Sequence, residues 1–245
     1  KLLLKQAVLG EVAQNLQRWY TLTNMKTPKL GQHFLTRPEI ARSIAESVTI
    51  PDSGVVVEVG PGHGILTREL LSIAKKVVAI EKDTQLYTEL TETFSSEIEE
   101  GRLLLIQDDV RDFTPHKCEH LENGYSVVAN IPYYITGLII RLFLTSQQQP
   151  NSMALLIQKE VAQRIVARDG KHSLLSLSVH IYGTPKLEKV VKAGAFSPPP
   201  KVDSAVLSIQ NISRDSFDEN TDENTFFTLI RKAFSQKRKM IGTTL

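Results

Sequence analysis

Between Val55 and Glu160 the chain alternates short apolar runs with segments whose apolar residues recur at helical spacing. The runs are VVVEVG (Val55–Gly60), KVVAIEKD, RLLLIQDD, YSVVANI and MALLIQKE; between them lie ILTRELLSIA, a segment opening near Thr84, and TGLIIRLFL. A strand without polar alternation has to be buried on both faces, and strands joined through helices run parallel. This predicts an α/β fold, a doubly wound, Rossmann-like sheet with helices on both sides. Ligands in such sheets sit at the carboxyl ends of the strands.

Upstream, TRPE (Thr36–Glu39) predicts a helix through about Val48. Thr36 is the expected N-cap, Pro38 stands in the first turn and Glu39 at the capping-box position. Downstream of Glu160 the pattern changes. VAQRIVA predicts a helix, and SLLSLSVHIY fits helix or strand by periodicity. KLEKVVKA and DSAVLSI bracket the proline-stiffened FSPPPK and predict a hairpin that finishes the sheet with an antiparallel edge. Residues 1–24 form an extension, expected to be an amphipathic helix on the spacing of Ala7, Val8, Val12, Leu16 and Trp19. A sheet domain over 25–211 and a helical segment over 212–245, with TFFTLIRKAFSQKRKM at its heart, complete the predicted organisation.

Composition narrows the function classes. A hydrophobic share of 41% and a charged share of 23% are those of a globular domain. No apolar run reaches the roughly 18 residues that a membrane span needs. One cysteine, Cys118, excludes an internal disulfide, and the histidines lack metal-ligand spacing, so neither a metal nor a membrane is expected. A cytoplasmic location follows as the expectation. The net charge of +2 is small, but Arg231, Lys232, Lys237, Arg238 and Lys239 cluster near the end, opposite an acidic stretch from Ser213 to Glu223. Any nucleic-acid binding through that cluster would be salt-dependent.

Polar residues mark the ends of four successive predicted strands. Gly60, Gly62 and Gly64 follow the first, a loop in which backbone N–H groups can approach a ligand. Their G-P-G-H-G order differs from the dinucleotide fingerprint. Glu58, just inside that strand, is unusual for a buried position and suggests a polar role near the pocket. Glu81 ends the second strand, where a carboxylate can accept from both hydroxyls of a ribose. Asp108 and Asp109 end the third, where a carboxylate could accept from an adenine amino group, and Asn130 ends the fourth. Together they point to an adenosine-containing cofactor.

The order glycine loop, Glu, Asp, then NIPY resembles the class I, S-adenosylmethionine-dependent methyltransferases that act on adenine N6. More narrowly, KLGQHFL (Lys29–Leu35), VEVGPGHGILT, ANIPYYI, QKEVAQRIVA, AFSPPPKVDSAVL and AFSQKRKMIGTTL resemble the KsgA-type small-subunit rRNA adenine dimethyltransferases, over about Pro28 to Leu245. The resemblance implies dimethylation of N6 of two adjacent adenosines near the 3′ end of small-subunit rRNA, with a role in ribosome biogenesis. The implied partner is that RNA or the assembling small subunit, met by a monomer. The implied cofactor residues are His33, Leu35, Gly60, Glu81, Asp109 and Asn130, with the segment before the first helix folding over S-adenosylmethionine as a lid. Asp109 is preferred to Asp108 because it stands in register with D-x-x-x-F ending at Phe113.

The same resemblance casts Asn130 and the Ile131 carbonyl as acceptors for the N6 protons. Pro132 aims that carbonyl, Tyr133 is the stacking face and Phe196 closes on the other side. Tyr134 is packing or rim. ARDGKHSLLSLSV lacks the Tyr-Gly common before LSV, and the small helical domain of the family is represented by its first helix. Rival readings are an Erm-type large-subunit rRNA methyltransferase and a non-catalytic RNA-binding or ribosome-assembly factor on the same fold. A DNA adenine methyltransferase would be expected to carry a separate base-reading domain.

Overall fold

The structure, a computed structural model, describes residues 33–167, 170, 172–217 and 222–235. The helix expected over residues 1–24 and the basic residues Lys237, Arg238 and Lys239 lie outside the described residues. Among the described residues nine strands and eight α-helices follow in order: β1 (Phe34–Leu35), α1 (Pro38–Ala45), β2 (Val55–Val59), α2 (Ile65–Ile73), β3 (Lys76–Glu81), α3 (Thr84–Thr93), α4 (Ser95–Glu99) and β4 (Leu103–Gln107). Then come β5 (Ser126–Asn130), α5 (Thr136–Leu144), β6 (Ser152–Gln158), α6 (Lys159–Val166), α7 (Leu174–His180), β7 (Thr184–Val191), β8 (Phe196–Ser197), β9 (Ser204–Gln210) and α8 (Glu223–Ser235).

Seven strands make one sheet in the order β4-β3-β2-β5-β6-β9-β7. The first five are mutually parallel, and β9 runs antiparallel to both β6 and β7. The predicted hairpin is therefore present, with its second strand inserted between β6 and the edge strand β7. Successive residues of β2 point into different cores. Val55, Val57 and Val59 join α5, α6 and α7 on one side. Val56 joins α1, α2 and α3 on the other. Burial on both faces is why these strands read as continuous apolar runs. The ambiguous SLLSLSVHIY is helical, as α7.

The start of α1 departs from the expectation. Arg37 is its N-cap, with no side-chain cap, and the helix begins at Pro38. Thr36 instead gives its N–H to the Ala195 carbonyl at 2.9 Å and its hydroxyl to the same oxygen at 3.0 Å. The antiparallel pairing of β1 with β8, Phe34 opposite Ser197 and Leu35 opposite Phe196, draws Thr36 out of capping position. Long-range pairing overrides the local capping signal here.

At the other end, α8 is held to the sheet domain. Glu223 accepts from the Tyr182 hydroxyl and from Arg214 Nε at 3.2 Å, and Arg214 also reaches the Ser146 carbonyl at 2.7 Å. The rings of Phe217 and Phe227 pack against Tyr182.

Gly64, the N-cap of α2, has φ +77°, and a Cβ there would stand 2.4 Å from the ring of Phe94, which is itself buried. Gly64→Ala combines left-handed backbone strain with a clash that a packed ring cannot relieve. It should destabilise the fold by about 2–4 kcal/mol, read as a lower denaturant midpoint with unchanged slope.

Candidate functional site

The parallel ladder brings the polar strand ends to one level. Val59 is opposite both Ile80 and Ala129, so the next residues, Gly60, Glu81 and Asn130, stand side by side at the carboxyl ends of β2, β3 and β5. Gly60 has φ +69°, and a Cβ there would meet only the Asn130 carbonyl oxygen, at 3.9 Å. The glycine thus leaves a cradle, floored by backbone, that any side chain would fill.

Glu81 is 6% exposed. Its Oε2 accepts from the Gly62 N–H at 3.2 Å and its Oε1 from the Asp83 N–H at 2.9 Å, which ties the glycine loop to the end of β3. Asp83 then caps α3 by accepting from Gln85 and Leu86. Asp109, two residues beyond β4, pairs with Lys82 at 2.8 Å and with the Arg111 guanidinium. The Arg111 and Lys82 cations hold its carboxyl well below the usual carboxylate range, so it is an acceptor at any working pH. Asp108 is exposed and takes the Asp109 N–H on its own side chain at 2.8 Å.

Glu58 lies one rung below Gly60 on the same face of β2, flanked in register by Ala79 and Val128. It is 0% exposed, and neither its carboxyl oxygens nor the buried Thr67 hydroxyl reaches hydrogen-bond geometry with a described group. Burial pushes its pKa up to about 8, with the nearby Thr67 hydroxyl pulling the other way and the Glu81 charge adding to the rise. At neutral pH this acid is mostly neutral.

β1 lies across the glycine loop. The Phe34 ring is 4.5 Å from that of His63 and would be 3.1 Å from a Cβ on Gly62. His33 donates through Nδ1 to the Pro198 carbonyl at 2.7 Å, and its own carbonyl receives the Asn130 side-chain N–H in a long, 3.5 Å bond. That bond turns the Asn130 side-chain oxygen away from His33. Leu35 is buried opposite Phe196. β1 with His33, the glycine loop, Asn130 and the SPPP turn are thus one connected assembly.

After β5 the chain turns at Pro132, whose φ of −54° and ψ of 134° lead into a 3-10 turn over Tyr133–Ile135. Ile131 is buried, and no N–H among the described residues is set against its carbonyl. The Tyr133 ring is half-buried, 6.0 Å from the His33 ring, and its hydroxyl is 2.7 Å from Ser204 Oγ. Tyr134 is 63% exposed, on the rim.

Phe196, expected to close on the far face of the base, is buried here. At 5% exposure its ring is packed in the core shared with Leu35, because β8 is paired with β1. Sequence reasoning also missed Ser204, Phe34 and Lys82. The first had a signal, a hydroxyl directly before the apolar Ala205–Leu207 of its strand. The other two are set by long-range neighbours.

The family described as Ribosomal RNA adenine dimethylase matches residues 23–245. A protein of Dehalococcoides mccartyi named Ribosomal RNA small subunit methyltransferase A is 41% identical over 233 residues, 95% of this chain and 78% of its own length. One of the same name from Fusobacterium nucleatum is 36% identical over 219 residues, 89% of this chain and 81% of its own. Among solved structures, a dimethyladenosine transferase from Plasmodium falciparum superposes with a TM-score of 0.74 at 29% identity, covering 86% of this chain and 74% of that one. The 23S rRNA methyltransferase ErmE shares the fold with a TM-score of 0.74 at 24% identity, over 86% of this chain and 82% of its own. A class I methyltransferase sheet, an Asn-Ile-Pro-Tyr turn beside a glycine cradle, and these similarities place the chain in the ribosomal RNA adenine dimethylase family.

Proposed function

We propose that the protein transfers methyl groups from S-adenosylmethionine to N6 of two adjacent adenosines near the 3′ end of small-subunit ribosomal RNA, within small-subunit assembly. The observation that carries this reading is the single level at which Gly60, Glu81 and Asn130 meet, with the NIPY turn leading directly from it. The cofactor fits the residues present: the Gly60 cradle is open where a Cβ would stand, and acceptors for a nucleoside line it. Glu81 is assigned the ribose hydroxyls, Asp109 the adenine amino group, and His33, Leu35 and Asn130 the covering side. When bound, S-adenosylmethionine supplies a methyl on a positively charged sulfur, a strong electrophile.

The chain's own residues then orient the nucleophile. The N6 lone pair of adenine is delocalised into the ring. Acceptance of its two N–H bonds by the Asn130 side-chain oxygen and the Ile131 carbonyl favours a pyramidal nitrogen with an available lone pair. Tyr133 stacks on the extracted base, worth on the order of 1–3 kcal/mol. Phe196 is assigned the opposite face, which requires β8 to part from β1. No strong base is needed, because the proton leaves to water, and most of the acceleration is orientation. A loop adenine is cheaper to present than a paired one.

Fold likeness alone does not choose the target RNA, since the 23S rRNA methyltransferase ErmE and the dimethyladenosine transferase superpose with the same score. The identity to small-subunit relatives favours the former. The test supplies methyl-labelled S-adenosylmethionine with unmethylated small subunits and, separately, large-subunit rRNA, and maps the label by nuclease digestion and mass spectrometry. Dimethyladenosine at adjacent adenines near the small-subunit 3′ end is expected; label on the large-subunit RNA would overturn the assignment. A second prediction isolates the cofactor. Glu81→Ala removes a charged acceptor and should weaken S-adenosylmethionine binding about 10–100-fold by calorimetry. Unchanged affinity would remove Glu81 from the pocket.

A further inference from the structure

We infer that Ser204 is a positioning residue for the proposed reaction: its hydroxyl holds that of Tyr133 and so fixes the plane of the ring on which the target adenine stacks. The inference rests on the reading of Tyr133 as the stacking face. The two oxygens are 2.7 Å apart.

The two partners differ in how firmly they are held. Ser204 is 0% exposed and opens β9, with Gln158 of β6 on one side and Val191 of β7 on the other. The residue before it is anchored three times. Asp203 takes the Lys159 N–H on its carbonyl at 3.0 Å, the Lys192 ammonium on Oδ2 at 2.8 Å and the Ala193 N–H on Oδ1 at 3.3 Å. Tyr133, by contrast, sits in a single 3-10 turn outside the sheet, half-buried, with two side-chain torsions to settle. A stacking platform that rocks loses the near-attack alignment of nitrogen and methyl, and small misplacements cost rate steeply.

The same hairpin braces the ring from a second side. His33, 6.0 Å from the Tyr133 ring, is itself held by the Pro198 carbonyl. The FSPPPKVDS stretch thus supports the tyrosine from two points. The contact also occupies the phenol oxygen, and burial raises its pKa, so Tyr133 stays a neutral flat face and not a base.

The test is a double-mutant cycle on the intact chain with Ser204→Ala, Tyr133→Phe and both together. Each single change should lower kcat/KM for small-subunit RNA about 5–10-fold, the worth of one hydrogen bond, with S-adenosylmethionine affinity unchanged. The double variant should be no worse than either single one. Losses that multiply would overturn the inference, and so would a Ser204→Ala defect accompanied by an equal loss of cofactor affinity. Should Ser204→Ala fail to fold, Tyr133→Phe, which leaves β9 intact, carries the test: wild-type kcat/KM in that variant overturns it. A readout free of substrate separates this inference from the functional reading. With tyrosine labelled at 13Cζ, the Tyr133 resonance, assigned by its loss in Tyr133→Phe, should move in Ser204→Ala. A wild-type protein that labels no small-subunit RNA would sink the functional reading, and an unmoved resonance would sink the role of Ser204.

Discussion

Asn130→Ala is expected to lower methyl transfer about 10²–10³-fold while S-adenosylmethionine still binds. The side chain sits at the tip of β5, and its contact to the segment at β1 is one long bond, 3.5 Å from the His33 carbonyl. Loss of so weak a contact leaves the cradle at Gly60 and the acceptors at Glu81 and Asp109 in place. The chemical step is another matter. With the side-chain oxygen gone, one N6–H of adenine has only water to meet, and the nitrogen is no longer held with its lone pair toward the methyl. Removal of one preorganised group of this kind costs roughly 2.7–4 kcal/mol in the transition state. Single-turnover transfer of labelled methyl, alongside calorimetry of cofactor binding, separates the two effects. Turnover at the wild-type rate would remove Asn130 from the mechanism.

The second large effect is on stability. Glu58 should make the protein lose stability as pH rises through neutrality. Its carboxyl is wholly buried without a hydrogen-bond partner among the described residues, and its folded pKa is about 8. In the unfolded chain a glutamate titrates near 4.3. Between about pH 4.3 and 8 the folded state keeps a proton that the unfolded state has released, so stability falls with pH by about 1.4 kcal/mol per unit at most. The stabilisation is complete below that window, is lost across it and changes little above pH 8. Over the whole window the loss is on the order of several kcal/mol. Glu58→Gln keeps the shape of the side chain and has no proton to release. Urea midpoints at pH 5.5, 7 and 8.5 should fall for the wild type relative to Glu58→Gln, with the gap levelling off beyond pH 8. Parallel pH curves for the two proteins would mean that Glu58 is solvated or partnered.

Much of this site was legible before any fold was in view, because its parts are local. A strand buried on both faces announces itself by an unbroken apolar run, and a residue at its end is found by counting. Gly60, Glu81 and Asn130 were placed in that way, while the choice of Asp109 over Asp108 came from the resemblance and the register from the fold. The odd glutamate at Glu58 was visible as an acid inside an apolar strand. Its lack of partners was not, since that depends on Thr67, Ala79 and Val128 arriving around it.

What the sequence by itself determined, then, was the succession of strands and helices and the polar residues at the strand tips. Both follow from hydrophobic periodicity and backbone preference within a few residues. Tertiary structure alone decided that β9 slots between β6 and β7, that β1 pairs with β8, and that this pairing takes Thr36 from its capping position and buries Phe196. It alone set Lys82 and Arg111 against Asp109 and brought the Tyr133 hydroxyl to Ser204, a residue 71 positions away. Such contacts join segments whose local preferences are compatible with several partners, and the choice among them is made by which pairing buries the most surface and leaves the fewest polar groups unmet.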